Sequence, residues 1–296
     1  MKQALICLAL LVLYVSLMGP FTRYMQQKPY AEKLGYVAAP EVLQFVAADQ
    51  APMISAGLVF KVLVYFGTLV EMAQNKIYLP PDYPGMFKLI QGALRLDPYN
   101  MDSYYFSQAI LTWDVGRVKE ANALLEYGMK YRTWDWYLPL FAGFNYGYFL
   151  KDYENAAKYY KKASELSGAD LYTRLAARYM YESGNTAYAI SYLSVMVKSA
   201  RNEAIKKSFV VRLAALQGIY QIEQALEQWK KTHSTLPDSV VHLQKEGYLS
   251  DIPLDPYGGD FYIDADGTVK TTSQMSYAGA ESYKKQKAAE SADKAQ

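Results

Sequence analysis

The chain opens on an unbroken apolar run. From Ala4 to Phe21 no residue carries a charge, and the run is preceded by Lys2; its length lies between the core of a signal peptide and a full membrane span. A signal peptidase needs small residues at the −3 and −1 positions, whereas Ser16 pairs with Met18, Leu17 pairs with Gly19, and Pro20 follows. The run therefore reads as an uncleaved anchor, and Leu5-Ile6 ahead of Cys7 fits a lipoprotein box badly. A second apolar stretch, Met53 to Val70, carries Lys61 at its middle. A lysine at a bilayer centre is costly, so this stretch predicts a core helix. The last third changes character. A helix is expected from about Asn202 to Lys231, then a short one starting at Leu236-Pro-Asp238 and ended by Gly247-Tyr-Leu. Two strands, Phe261–Asp264 and Thr268–Thr271, flank Ala265-Asp-Gly267, where an Asp-Gly pair readily takes the positive φ of a hairpin turn.

Self-comparison gives a period of about 34 residues. Ala121, Ala156 and Ala189 set its register, inside Gly116-Arg-Val-Lys-Glu-Ala121, Asp152-Tyr-Glu-Asn-Ala156 and Gly184-Asn-Thr-Ala-Tyr-Ala189. Each is a turn leading into an amphipathic helix. Ala109 with Ala121, and Ala177 with Ala189, supply the small residues that let paired helices approach closely, and Gly128, Ala163 and Met196 follow at the next small position, the methionine being a departure. This pattern resembles the tetratricopeptide repeat over roughly residues 56 to 202. Ala93-Leu-Arg-Leu-Asp-Pro98 matches the closing signature of a partial upstream unit, whose helices are separated by a loop at Leu79-Pro-Pro-Asp-Tyr-Pro-Gly85. The middle repeat fits well only if one residue is missing before Lys151.

The resemblance implies a concave groove lined by the first helix of each unit. The residues that share that face are Phe106, Ile110 and Trp113, then approximately Phe141, Asn145 and Tyr148, then Arg174, Arg178 and Tyr181. Arginines one turn apart can grip a carboxylate, an Asn amide can hold a peptide backbone, and aromatics can take apolar side chains. The alternative is that the aromatics pack between helices and the arginines are solvated.

The run from Leu236 to Thr271, with Ile252-Pro-Leu-Asp-Pro-Tyr-Gly-Gly259 between helix and hairpin, is similar to the C-terminal part of type II secretion major pseudopilins. The prepilin processing site of that family has no counterpart, since Gly19-Pro-Phe-Thr22 follows the apolar run instead of preceding it. Asp255, Asp260, Asp264 and Asp266 lack the spacing of an EF-hand loop, and turn chemistry accounts for them better than calcium does.

Composition narrows the function. Lys plus Arg number 31 against 29 Asp plus Glu, which leaves no broad basic footprint and makes nucleic acid an unexpected partner. The single cysteine, Cys7, excludes an intrachain disulfide or thiolate metal cluster. The only histidines, His233 and His242, flank the Pro237 junction, and neither a nucleophile-base motif nor a glycine-rich phosphate loop is present. No catalytic residue, metal site or cofactor is therefore expected. The expected architecture is mainly α, a tetratricopeptide-like helix-turn-helix solenoid with an N-terminal transmembrane helix and a small α+β C-terminal module ending in a hairpin. Its divisions are 1–22 signal-anchor helix, 23–55 connecting segment, 56–202 repeats, 203–273 long helix plus pseudopilin-like module, and 274–296 disordered tail. The expected role is a single-pass scaffold of the bacterial inner membrane, held through residues 4–21, with its body periplasmic or otherwise extracytoplasmic. It would bind a protein or peptide. The alternative is an assembly factor or structural subunit of a type II secretion or pilus-like apparatus.

Overall fold

In a computed structural model, residues 2–27, 34–35, 38 and 40–293 are described. They are mainly helical, with one two-stranded sheet, and divide into two compact units, Met1–Thr133 and Trp134–Gln296.

The first unit begins with α1 (Lys2–Gln27), whose segment Ile6–Tyr24 is long and apolar enough to cross a membrane and is nowhere buried. After α2 (Pro40–Ala47) and a 3-10 turn comes α3 (Ala51–Gln74), then α4 (Tyr83–Leu96), α5 (Met101–Ala109) and α6 (Val118–Tyr131). The core reading of Met53 to Val70 holds for one face of α3. Ser55, Val59, Val62, Tyr65 and Leu69 are buried, where α3 packs on α4 and the Ser55 hydroxyl donates to the Ala93 carbonyl at 2.9 Å. The segment Leu79–Gly85 is less of a loop than its prolines suggest. Asp82 caps α4 by accepting from the Gly85 amide at 2.9 Å, and Pro84 sits in the first turn, where its missing N–H costs nothing.

The second unit runs through α7 (Tyr137–Phe144), α8 (Tyr153–Ser167), α9 (Asp170–Glu182), α10 (Thr186–Ser199), α11 (Glu203–Thr232) and α12 (Val240–Lys245). It continues into strands β1 (Phe261–Ile263) and β2 (Val269–Thr271) and ends with α13 (Tyr277–Asp293). The strands are antiparallel with Phe261 opposite Thr271 and Ile263 opposite Val269, and Gly267 takes φ 79° in the turn. Ala177, Ala189, Leu216, Ile219, Phe261, Val269 and Met275 belong to one continuous core, so the hairpin shares its packing with the preceding helices. The tail expected to be disordered also differs: residues 277–293 form α13, in a segment rich in strong helix formers, and the buried Ala280 and the edge-on Tyr257–Tyr277 pair (5.0 Å) hold its start.

The alanines that set the sequence register, Ala121, Ala156 and Ala189, are all fully buried. Five residues before each stands a left-handed residue: Gly116 (φ 70°), Lys151 (φ 54°) and Gly184 (φ 80°). After α9 this is an ordinary helix stop, with the Asn185 amide reaching the Met180 carbonyl and Gly184 the Tyr181 carbonyl. After α5 and α7 the last turn is instead π-helical, at Ile110–Asp114 and Asn145–Leu150. A π turn absorbs one extra residue, so the side chains that follow it are turned away from the direction a regular helix would give them.

Candidate functional site

Arg178 and Tyr181, both anticipated on the third stripe, lie one turn apart on α9 and line a cleft of about 300 Å³. Its other walls were not anticipated: Arg212 from α11, and Tyr262 and Lys270 from the hairpin. The Tyr181 hydroxyl donates to the Val269 carbonyl at 2.6 Å and so ties α9 to β2. Burial pushes the Tyr181 phenol above its ordinary range, which keeps it a neutral donor.

Charge in this cleft is unevenly compensated. Arg178 pairs with Glu182 on its own helix at 3.6 Å, and Lys270 pairs with Asp264 across the hairpin. Arg174, the other cation of the α9 stripe, pairs with Asp170 at 3.2 Å and reaches the Ser208 hydroxyl at 3.4 Å. Arg212 has no carboxylate partner among the described residues. Its guanidinium donates to the Met275 carbonyl at 2.8 Å and lies 5.9 Å from the Tyr257 ring centroid, while its Nε is buried with no hydrogen-bond partner. Burial lowers its pKa, the Tyr257 hydroxyl opposes that shift, and the nearby Arg174 and Arg178 add to it. Two paired cations and one uncompensated guanidinium make a recess suited to one anionic group, with arginine offering planar, carboxylate-matched donors.

The remaining stripe residues are distributed differently. In the first unit Phe106 meets Phe66 edge-on at 5.8 Å, Ile110 is buried and Trp113 is exposed. In the second unit Phe141 stacks on Tyr137 at 6.2 Å and Tyr148 stacks on Phe144 at 5.3 Å, while Asn145 is fully inaccessible. Ile110 and Asn145 therefore face the interior, and each opens the π turn that changes the direction of the following side chains. The signal for Arg212 was present in the sequence as a lone charge inside Phe209-Val-Val-Arg-Leu-Ala-Ala-Leu216. Lys270 carried no such signal.

The acidic residues of the hairpin are spent on local structure. Asp255 accepts from the Tyr257 amide and from the Thr271 and Ser273 hydroxyls, and Asp266 accepts from the Thr268 amide and hydroxyl. His233 stacks on Trp229 at 3.8 Å, and His242 meets the same ring edge-on at 5.0 Å. The chain matches no family model and no curated protein.

Proposed function

We propose that the protein is a membrane-anchored scaffold of tetratricopeptide-like helix pairs that holds a protein or peptide partner in the bacterial envelope, and that the partner presents an acidic group to the cleft of Arg178, Arg212 and Lys270. The observation that carries this reading is the uncompensated Arg212. A guanidinium withdrawn from water without a counter-charge is costly, and an incoming carboxylate offsets that cost in a way no described residue does. The exposed apolar α1 supports attachment to a membrane; in this reading that membrane is the inner one and the body stands on its outer side. In this role the chain performs no catalysis and needs no metal or cofactor.

A photo-crosslinking residue at Tyr262, in intact membranes, is expected to capture a discrete partner. That capture is lost with Arg178→Ala plus Arg212→Gln while the fold persists; undiminished capture by the double variant would overturn the assignment. A second reading, an assembly factor or subunit of a type II secretion or pilus-like apparatus, draws on the order of short helix, Pro-Leu-Asp-Pro-Tyr-Gly-Gly turn and hairpin. It predicts that the captured partner is a component of such an apparatus, whereas the scaffold reading is indifferent to this.

A further inference from the structure

The outer face of α3 is the opposite of what a water-facing helix presents. Successive residues of a helix turn by about 100°, which puts Met53, Gly57, Phe60, Val64 and Gly67 in one narrow arc directly opposite the buried residues Ser55, Val59, Val62, Tyr65 and Leu69. Met53 and Phe60 are each 66% exposed, and Val64 is 51% exposed. On the preceding α2, Phe45 is 88% and Val46 70% exposed. Contiguous apolar surface of this kind marks a partner or a membrane.

Three observations identify the occupant. The first is reach: 13 residue steps separate Gln27 at the end of α1 from Pro40 at the start of α2, so α2 begins within about 45 Å of the point where α1 ends. The second is the placement of charge. Lys61 lies roughly 80° from the centre of the arc by the same helical geometry, on its flank, with its ammonium beside the backbone at Gly35. A lysine on such a flank can keep its charge in the headgroup layer while its stem lies along the apolar surface. Glu71, the acidic residue of α3, falls on the arc's own line but one turn beyond Gly67, so it marks where the apolar face ends. The third is what covers the other side. The inner face of α3 packs on α4, whose Lys88 and Arg95 are exposed, so threading α3 through a bilayer would carry those charges with it. The segment Glu41–Gln74 passes the length and composition test for a span, yet this packing suits a helix lying in the plane.

We propose that the outer face of α2 and α3 rests in the interfacial layer of a phospholipid bilayer, so that the first unit is held to the membrane along a second, in-plane segment as well as by α1. The inference rests on the membrane reading of α1, and the experiment separates the two. Full-length protein is reconstituted into vesicles of phosphatidylethanolamine and phosphatidylglycerol, and an environment-sensitive NBD label is placed at one cysteine at a time. The native Cys7, exposed in α1, reports the anchor. In a Cys7→Ser background, Phe60→Cys and Val64→Cys report the face, and Lys88→Cys reports the opposite side. Labels at 60 and 64 are expected to lose fluorescence to lipids carrying a nitroxide at a shallow acyl position, whereas the label at 88 keeps it. Labels at 60 and 64 that are blue-shifted yet unquenched by lipid would mean that protein, a second copy or a partner, covers the face, and would overturn the proposal. So would labels that report water. If the Cys7 label also escapes nitroxides placed deep in the bilayer, the anchor reading fails; if Cys7 is quenched and 60 and 64 are not, only this inference fails.

Discussion

Gly147 offers a test of how the tyrosine-rich second unit is packed. A Cβ at this position would lie 2.5 Å from Cζ and 2.6 Å from the hydroxyl of Tyr179, against the 3.5–4.0 Å that carbon atoms prefer. Tyr179 has little freedom to move away, because its ring lies parallel to Tyr160 at 5.4 Å and against Tyr153 at 5.8 Å. Gly147→Ala therefore sets two effects against each other. Alanine gains about 1 kcal/mol of helix propensity over glycine, less in a π turn. Overpacking costs about 1–3 kcal/mol, and displacing the ring forfeits a further 0.5–1.5 kcal/mol or so of aromatic pairing. The steric side wins, for a net loss of about 1–2 kcal/mol. Thermal unfolding can be followed by tryptophan fluorescence in a Trp113→Phe background, which leaves Trp134, Trp136 and Trp229, all in the second unit. The midpoint is expected to fall by roughly 2–8 °C. In a Tyr179→Ala background the clash is gone, and Gly147→Ala should then stabilise by up to about 1 kcal/mol. Equal destabilisation in both backgrounds would refute the reasoning.

Other consequences can be checked in the same way. Gly184→Ala should cost about 1 kcal/mol in denaturant titrations because the residue must stay left-handed, while position 151 already bears a side chain in that conformation, so Lys151→Ala should cost no more than the roughly 0.5–1 kcal/mol of its ammonium's contact with the Tyr148 ring at 5.3 Å. Tyr181→Phe removes the donor to Val269 and should cost about 0.5–1.5 kcal/mol, with amide exchange accelerated in the hairpin rather than in α8. Burial pushes the Glu223 carboxyl above the usual range, with the Thr186 hydroxyl at 2.8 Å opposing that shift. Between the ordinary and the raised pKa the folded chain holds a proton that the unfolded chain has released, so stability falls as pH rises through that window. Glu223→Gln keeps the acceptor for Thr186 and should show a stability advantage that grows across this window; a constant offset in pH-resolved melts would contradict it.

Legibility in the sequence followed the physics of each feature. Small residues at a helix contact recur by necessity, so Ala121, Ala156 and Ala189 announced both the helix pairs and their phase. Asp-Gly with alternating flanks gave the hairpin to within a residue, because turn chemistry is local. Less legible was what depends on backbone hydrogen bonding beyond the usual turn. A π turn has no strong residue signature, so Ile110 and Asn145 were projected outward on a regular helix although both are buried. Lys151 concealed a left-handed position that glycine marks in the other two units. The cleft was half legible: α9 gave Arg178 and Tyr181 through periodicity, but Arg212 and Lys270 reach it through tertiary packing that no spacing rule encodes.

That packing also changes what the C-terminal segment is for. Under the proposed repeat reading, a stack of helix pairs leaves an apolar end that needs a terminal cap. Here α11 and the hairpin occupy that place: Gly218, in mid-helix, leaves room for the Phe261 ring, since a Cβ there would stand 3.1 Å from it, and Phe261, Val269 and Met275 complete the core begun by Ala177 and Ala189. The proposed cleft lies on this junction, with one wall from the last helix pair and the other from the cap. Removing residues 236–273 would consequently open the core and erase the cleft together, so loss of capture by such a deletion cannot assign binding to the hairpin. Substitutions that leave the shared core intact, Lys270→Ala on the hairpin and Arg178→Ala on α9, can divide the contributions. If both walls grip the same anionic group, each substitution alone weakens capture and their effects on the partner's affinity are not additive; a substitution that leaves the affinity unchanged would mean that its wall does not serve this partner.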